Sequence, residues 1–214
     1  HGQTRTACCA NATLRRMERA ETGETSLQEP RLRAEIVAVG ASLTRLGLIR
    51  GAEGNISVRV GATGLLVTPS GWAKGRLRGG SLVMCHVDAV PTPEASSEIL
   101  VHLLTYQRHP HIAALVHAHP PGVLALATRG AIPDPQLLRE GRLLVPRVAR
   151  VPALEPGTRE LAEECAMALG RAPAVVMARH GAITSGSSLR EALQRMEVLE
   201  LLAQTALSAH GGRV

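Results

Sequence analysis

Ile112-Ala113-Ala114-Leu115-Val116-His117-Ala118-His119-Pro120-Pro121 is the stretch on which the reading of this chain turns. Its first eight residues form a mostly apolar run of buried-strand length, and the two prolines close it. Side chains two apart in a strand project on the same face, so His117 and His119 aim at one point while Ala118 faces the other way. Two converging imidazoles at a strand end suit a zinc-like ion, which takes His nitrogen at about 2.0–2.1 Å and in catalytic sites often has three protein ligands. Two incidental histidines would give the same spacing, and spacing alone does not choose between the readings.

Helical patterns lie on both sides of this strand. Ser96-Ser97 opens a helix from about Glu98 to Gln107, and another follows Pro121 to about Thr128. Further out, Leu32, Ile36, Val39, Leu43 and Leu46 predict an amphipathic helix over 31–46, ended by Gly47. Short strands are expected at Ile56–Val60, Leu65–Thr68 and Leu82–Val87, with a turn at Gly61–Gly64. In the Pro-rich stretch 133–156 one strand is expected, within Leu143–Val148. Thr158 caps a helix to Leu169, and strands at Ala174–Ala178 and Ala182–Thr184 flank His180-Gly181. Ser188 and Glu191 form an S-x-x-E capping box for a last helix to about Ala209. The expected fold is a single-domain, three-layer α/β/α sandwich over 31–214 with a largely antiparallel central sheet, behind a polar arm at 1–30.

Composition removes several chemistries. Of 24 basic side chains only Lys74 is a lysine, so a Schiff-base enzyme would have no other amine to use. Of 18 acids only Asp88 and Asp134 are aspartates, too few for Asp-dense two-metal phosphoryl transfer. One Trp, one Tyr and no Phe make a poor platform for stacking bases. The net charge of +6 comes from arginines scattered singly, which favours drawing in a phosphorylated metabolite over binding nucleic acid. Cys8, Cys9, Cys85 and Cys165 form no C-x-x-C pair, no apolar run reaches membrane-spanning length, and no signal-peptide pattern opens the chain. The expected location is the cytoplasm, away from membranes.

His180, after one strand and before a glycine, qualifies as a third ligand. His109-Pro110-His111 repeats the H-x-H spacing, but a proline between helix and strand makes it a surface turn; His86 and His210 read as a strand-face and a tail histidine. Ser96-Ser97-Glu98 at a helix start can cradle a phosphate on unpaired N–H groups, with Glu98 as a ligand or base. Ordinary capping uses the same residue types and is the favoured reading of this tripeptide taken alone, with His102 merely packing or hydrogen-bonding. Gly54-Asn55 and Ser70-Gly71, beside strand ends, offer further donors, as structural turns also do.

In this order, Gly54-Asn55-Ile56-Ser57, Thr68-Pro69-Ser70-Gly71, Ser96-Ser97-Glu98, His117-Ala118-His119-Pro120, Gly157-Thr158-Arg159-Glu160-Leu161 and Arg179-His180-Gly181 make the chain resemble the class II aldolase/adducin family. The resemblance covers about Arg31 to Ala209. It implies an α/β/α fold around an antiparallel sheet and a ring-like homotetramer with sites at subunit interfaces. It implies Zn²⁺, or another divalent ion such as Mn²⁺ or Co²⁺, held by His117, His119 and His180 with Glu98 as a fourth ligand. It also implies a phosphorylated substrate held by Gly54, Asn55, Ser70, Gly71, Ser96 and Ser97, with Glu98 freed to move protons. The loop between Asp88 and Ser96 is shorter than that family's hairpin. Tyr106, the single tyrosine, lies within the helix after Glu98, where packing is its expected role.

The expected activity is a zinc-dependent aldolase acting on a short sugar phosphate through an enediolate. A pentulose-phosphate 4-epimerase or a 3-oxo sugar-acid phosphate decarboxylase shares that intermediate, and an adducin-like interaction domain would keep the fold without the chemistry. The last would be expected to lack the histidine triplet, which is present here.

Overall fold

The computed structural model describes residues 28–211, so most of the expected arm lies outside the described residues. The first helix, α1, occupies 28–45. Then come β1 (Asn55–Val60), β2 (Gly64–Val67), β3 (Val83–His86), α2 (Ile99–Arg108), β4 (Ala114–Ala118) and α3 (Pro121–Thr128). The second half carries α4 (Arg139–Leu144), β5 (Val148–Val151), α5 (Arg159–Leu169), β6 (Ala174–Met177), β7 (Gly181–Gly186) and α6 (Leu189–Gly211).

The strands form one seven-stranded sheet in the order β3-β2-β1-β4-β7-β6-β5, with the H-x-H strand β4 at its centre. All neighbours run antiparallel except β5 and β6, which are parallel, so the sheet is mixed. The exception has a simple cause: α5 lies between β5 and β6 in the chain, and a strand–helix–strand crossover returns the second strand in the first one's direction. Antiparallel β6 and β7, by contrast, are joined by only Ala178, Arg179 and His180.

Alternation along the strands divides the core between two faces. Ile56, Val58, Ala114, Val116, Ala118 and Ala182 pack with α1, α3 and α6 side chains such as Ile36, Val123 and Leu199. Leu65, Leu115, Val175, Met177 and Ile183 pack on the other face with Val101, Leu103 and Tyr106 of α2 and with Leu161 and Cys165 of α5. This is the expected three-layer α/β/α sandwich. Its central strand, with every residue from Ala114 to Ala118 buried, is covered on both sides.

One expected element is wrong. The strand placed within Leu143–Val148 is instead the end of α4 and a loop, and pairing begins only at Val148. A short apolar run has no resolvable period. Val145, at the end of α4, is fully buried while Leu143 is 67% exposed, and Pro146, lacking an N–H, stands before the strand. At α5, Thr158 Oγ1 accepts the Leu161 N–H as expected. At α6 the box is displaced by one residue: Ser188 Oγ accepts the Glu191 N–H, but the Glu191 carboxylate takes Ser187 N–H and O–H rather than returning to Ser188.

Candidate metal centre

Four elements meet at the end of β4. His117 is its penultimate residue and His119 follows it, with the His119 N–H bonded to the Leu48 carbonyl. His180 ends the three-residue loop between β6 and β7. The loop residue before it, Arg179, has φ of 59°, the left-handed conformation that recurs in three-residue hairpin loops. Because β7 pairs with β4, Gly181 lies directly against the pair, and a Cβ there would come 2.5 Å from the Ala118 carbonyl oxygen and 2.7 Å from the His119 ring. Gly54, just before β1, does the same: its φ is +66°, and a Cβ would run into the His117 carbonyl oxygen. Only glycine allows backbone this close on both sides.

The rings of His117, His119 and His180 lie 4.9–5.5 Å apart, centroid to centroid, with one potential ligand nitrogen from each inside a 4.8 Å cluster. His119 Nε2 stands 3.3 Å from His117 Nε2. Glu98, the residue capping the start of α2, sends its carboxylate between the rings: Oε2 is 3.2 Å from His117 Nε2 and Oε1 is 3.1 Å from His180 Nε2. Nitrogen and oxygen ligands about 2.0–2.1 Å from a tetrahedral ion sit roughly 3.3–3.4 Å from one another. The donor set and its spacing therefore fit a divalent cation. The ring orientation fits as well: His117 Nδ1 donates to the Ala182 carbonyl at 2.9 Å, which turns Nε2 towards the other ligands.

Electrostatics point the same way. Burial and the neighbouring His117 and His180 hold His119 down to about 4, against the pull of Glu53 and Glu98, so it is neutral at pH 7. Burial alone would raise the Glu98 carboxyl, but hydrogen bonds from His117 and His180 and their charge outweigh it and hold the group far below the carboxylate range. A neutral His119 beside an ionised Glu98 carboxylate leaves both groups in the form that binds a cation.

The candidate anion-binding residues gather alongside. Pro69 bridges to Ala95, and the Ser70 N–H donates to the Glu94 carbonyl, which sets Ser70-Gly71 beside Ser96-Ser97. Thr68 exchanges bonds with Ile56, which brings Gly54-Asn55 to the same edge. Lys74 ties two of these loops together: its buried amine donates to the Ala52 and Trp72 carbonyls, and burial, partly offset by Glu98, lowers it to about 8. Ser70, Gly71 and Ser97 are exposed, while Ser96 is buried and accepts the Glu98 N–H on its hydroxyl. The Asn55 side chain turns away from any anion cradle in this structure, donating instead to Glu98 Oε2 at 2.9 Å.

Three further residues, His102, Ser57 and Tyr106, adjoin the site although sequence reading set them aside or passed over them. His102 and Tyr106 follow Glu98 at intervals of four, one face of α2, and meet Asn55 and Ser57, two apart on β1. His102 Nε2 bonds to Asn55 Oδ1 at 2.5 Å, Ser57 Oγ to His102 Nδ1 at 2.6 Å, and Ser57 Oγ to Tyr106 Oη at 2.7 Å. Tyr106 thus has a polar partner besides its packing role. The signal was present as matching periods of polar residues in otherwise apolar elements. Glu200 of α6 is also buried, accepting the Gly122 and Val123 N–H groups at 2.9 and 3.0 Å and so capping α3 just beyond His119. The H-P-H pair behaves as a turn, with His109 Nε2 on the Ala166 carbonyl.

Residues 34–207 match the family model of the class II aldolase and adducin N-terminal domain. The 3-oxo-tetronate 4-phosphate decarboxylase of Pectobacterium atrosepticum is 33% identical over 188 residues, covering 85% of this chain and 86% of that protein. The L-fuculose phosphate aldolase of Escherichia coli is 32% identical over 190 residues, covering 85% of each. The crystal structure of l-fuculose-1-phosphate aldolase from Thermus thermophilus superposes with a TM-score of 0.79 at 34% identity, over 84% of this chain and 94% of that one.

Proposed function

The chain belongs to the class II aldolase and adducin family, and on that premise we propose that it is a divalent-metal lyase making or breaking a C–C bond in a short sugar phosphate through an enediolate. The observation that carries this reading is the convergence of His117, His119 and His180, with the Glu98 carboxylate set against His117 and His180. These four residues would hold the ion, zinc in the first instance. When bound, it supplies Lewis acidity, stabilising the negative charge left on substrate oxygens when the bond breaks.

The chain's own groups do the rest. Glu98, ionised and adjacent to the reacting atoms, takes and returns protons. Ser70, Gly71, Ser96, Ser97 and Gly54 supply hydroxyl and backbone donors for a phosphate at the start of α2, where the helix dipole favours negative charge. Asn55 stands between the two tasks, against Glu98 and beside the cradle. Lys74 does not serve as an imine-forming amine in this reading: its nitrogen is held by two carbonyls, and its role is to fix the loops.

A decarboxylase of a 3-oxo sugar-acid phosphate is the second reading, favoured by the name of the Pectobacterium relative. Losing CO₂ next to a carbonyl leaves the same kind of enediolate, so the same residues would serve. Metal analysis and a substrate panel test both. Purified protein should carry about one divalent ion per chain and cleave fuculose-, rhamnulose- or 5-deoxyribulose-1-phosphate to dihydroxyacetone phosphate and an aldehyde. Release of CO₂ from a 3-oxo-tetronate 4-phosphate without cleavage of those ketose phosphates would establish the second reading. Epimerised ribulose 5-phosphate without cleavage or CO₂ release would exclude both. The same proposal includes a homotetramer with sites shared between subunits and a cytoplasmic setting; among the described residues no helix is long and apolar enough to cross a membrane.

A further inference from the structure

Behind Glu98 runs a line of buried polar side chains with one possible direction. The Glu98 carboxylate only accepts, so the Asn55 group facing it at 2.9 Å is the amide nitrogen. Asn55 Oδ1 must then face His102, which donates from Nε2. Burial holds the His102 imidazole down to about 3, against the pull of Glu98, so the ring is neutral and its Nδ1 is an acceptor. Ser57 therefore donates its hydroxyl hydrogen to His102 and accepts from the Tyr106 phenol. Every member is buried, His102 and Ser57 completely. The line cannot be a proton wire, because a neutral amide has no proton to pass on without becoming an imidic acid. What it can transmit is orientation.

We propose that His102 is a positioning residue: backed by Ser57 and Tyr106, it locks the Asn55 amide with its nitrogen towards Glu98 and thereby fixes the carboxylate at the metal centre. Without a donor at His102 the Asn55 amide oxygen loses its partner, and the amide is held from one side only, by the Glu98 carboxylate. Outer-shell hydrogen-bond partners of a metal ligand commonly change metal affinity by about 10–100-fold, and His102 acts on Glu98 through Asn55. The proposal rests on Glu98 being a ligand, as the functional reading holds, but not on which sugar phosphate is used.

The test is a double-mutant cycle on zinc affinity, measured without substrate by competition with a chromophoric chelator. His102→Met should weaken binding by about 10–100-fold where Glu98 is present and by less than about twofold in a Glu98→Ala background. His102→Gln, which keeps a donor near the Nε2 position, should recover most of the loss. Should His102→Met fail to fold, Ser57→Ala, which frees the His102 tautomer, takes its place in the cycle. Equal losses with and without Glu98 would mean a merely structural role and overturn the proposal alone, leaving the metal centre and the lyase reading intact. Wild-type protein that takes up no divalent ion would overturn the metal centre itself, and this proposal with it.

Discussion

Gly181 passes so close to Ala118 that a single methyl group on it would lie 2.5 Å from the Ala118 carbonyl oxygen. That approach brings His180 to the other two imidazoles, because β7 must lie flush against β4 for its preceding loop to reach them. Gly181→Ala should therefore push β7 outward. The expected result is a loss of about 1–3 kcal/mol in stability, with reduced metal retention measured on the same preparation by elemental analysis. Full metal content with unchanged stability would show that the contact is dispensable.

His119 and Glu98 should separate binding from chemistry. His119→Ala removes one of three converging nitrogens and should abolish metal retention on gel filtration. Glu98→Gln keeps an oxygen at the same place but cannot take a proton. It should stay metal-bound while turnover falls by about 10²–10⁴-fold. A fully active Glu98→Gln enzyme would remove Glu98 from proton transfer.

Glu200 acts at a distance from the reacting groups. With prolines at 120 and 121, α3 has no side-chain cap of its own, and the Glu200 carboxylate serves its Gly122 and Val123 N–H groups from α6. Glu200→Ala leaves two buried donors without partners, each costing about 1–3 kcal/mol. The expected loss in urea unfolding is roughly 2–4 kcal/mol, with Glu200→Gln, which keeps one acceptor, losing less.

Stability should fall in acid in a window set by His102. Its folded value is about 3 against 6.5 when unfolded, so between those limits the unfolded chain binds the extra proton. The contribution is complete above pH 6.5 and is lost as the pH drops towards 3, by at most about 1.4 kcal/mol per pH unit. In His102→Gln this component is absent, so the stability gap between wild type and variant should narrow on acidification. A gap that is constant from pH 7 to 4 would contradict the assigned neutral imidazole.

Local patterns carried much of this site. The mostly apolar run Ile112–His119 gave a buried strand with two histidines at its end, and Ser96-Ser97-Glu98 gave a helix start with a carboxylate, because both signals lie within a few residues. The same logic failed at Leu143–Val148, where the apolar run was too short to show whether it repeats every two residues or every three to four. It undervalued His102 and Tyr106, whose polar atoms matter only because α2 lies over β1.

The order of the ligands in the chain, and the kinds of group they offer, belong to the sequence: imidazoles at 117, 119 and 180, a carboxylate at 98, glycines at 54 and 181. Their meeting belongs to the sheet. Placing β4 between β1 and β7 sets Asn55 opposite His117 and lets the loop before Gly181 reach across the end of the strand. Strand neighbours are chosen by burial on both faces and by pairing between segments far apart in the chain. No short window of residues contains that information, and only the folded molecule decides that the Asn55 amide faces a carboxylate.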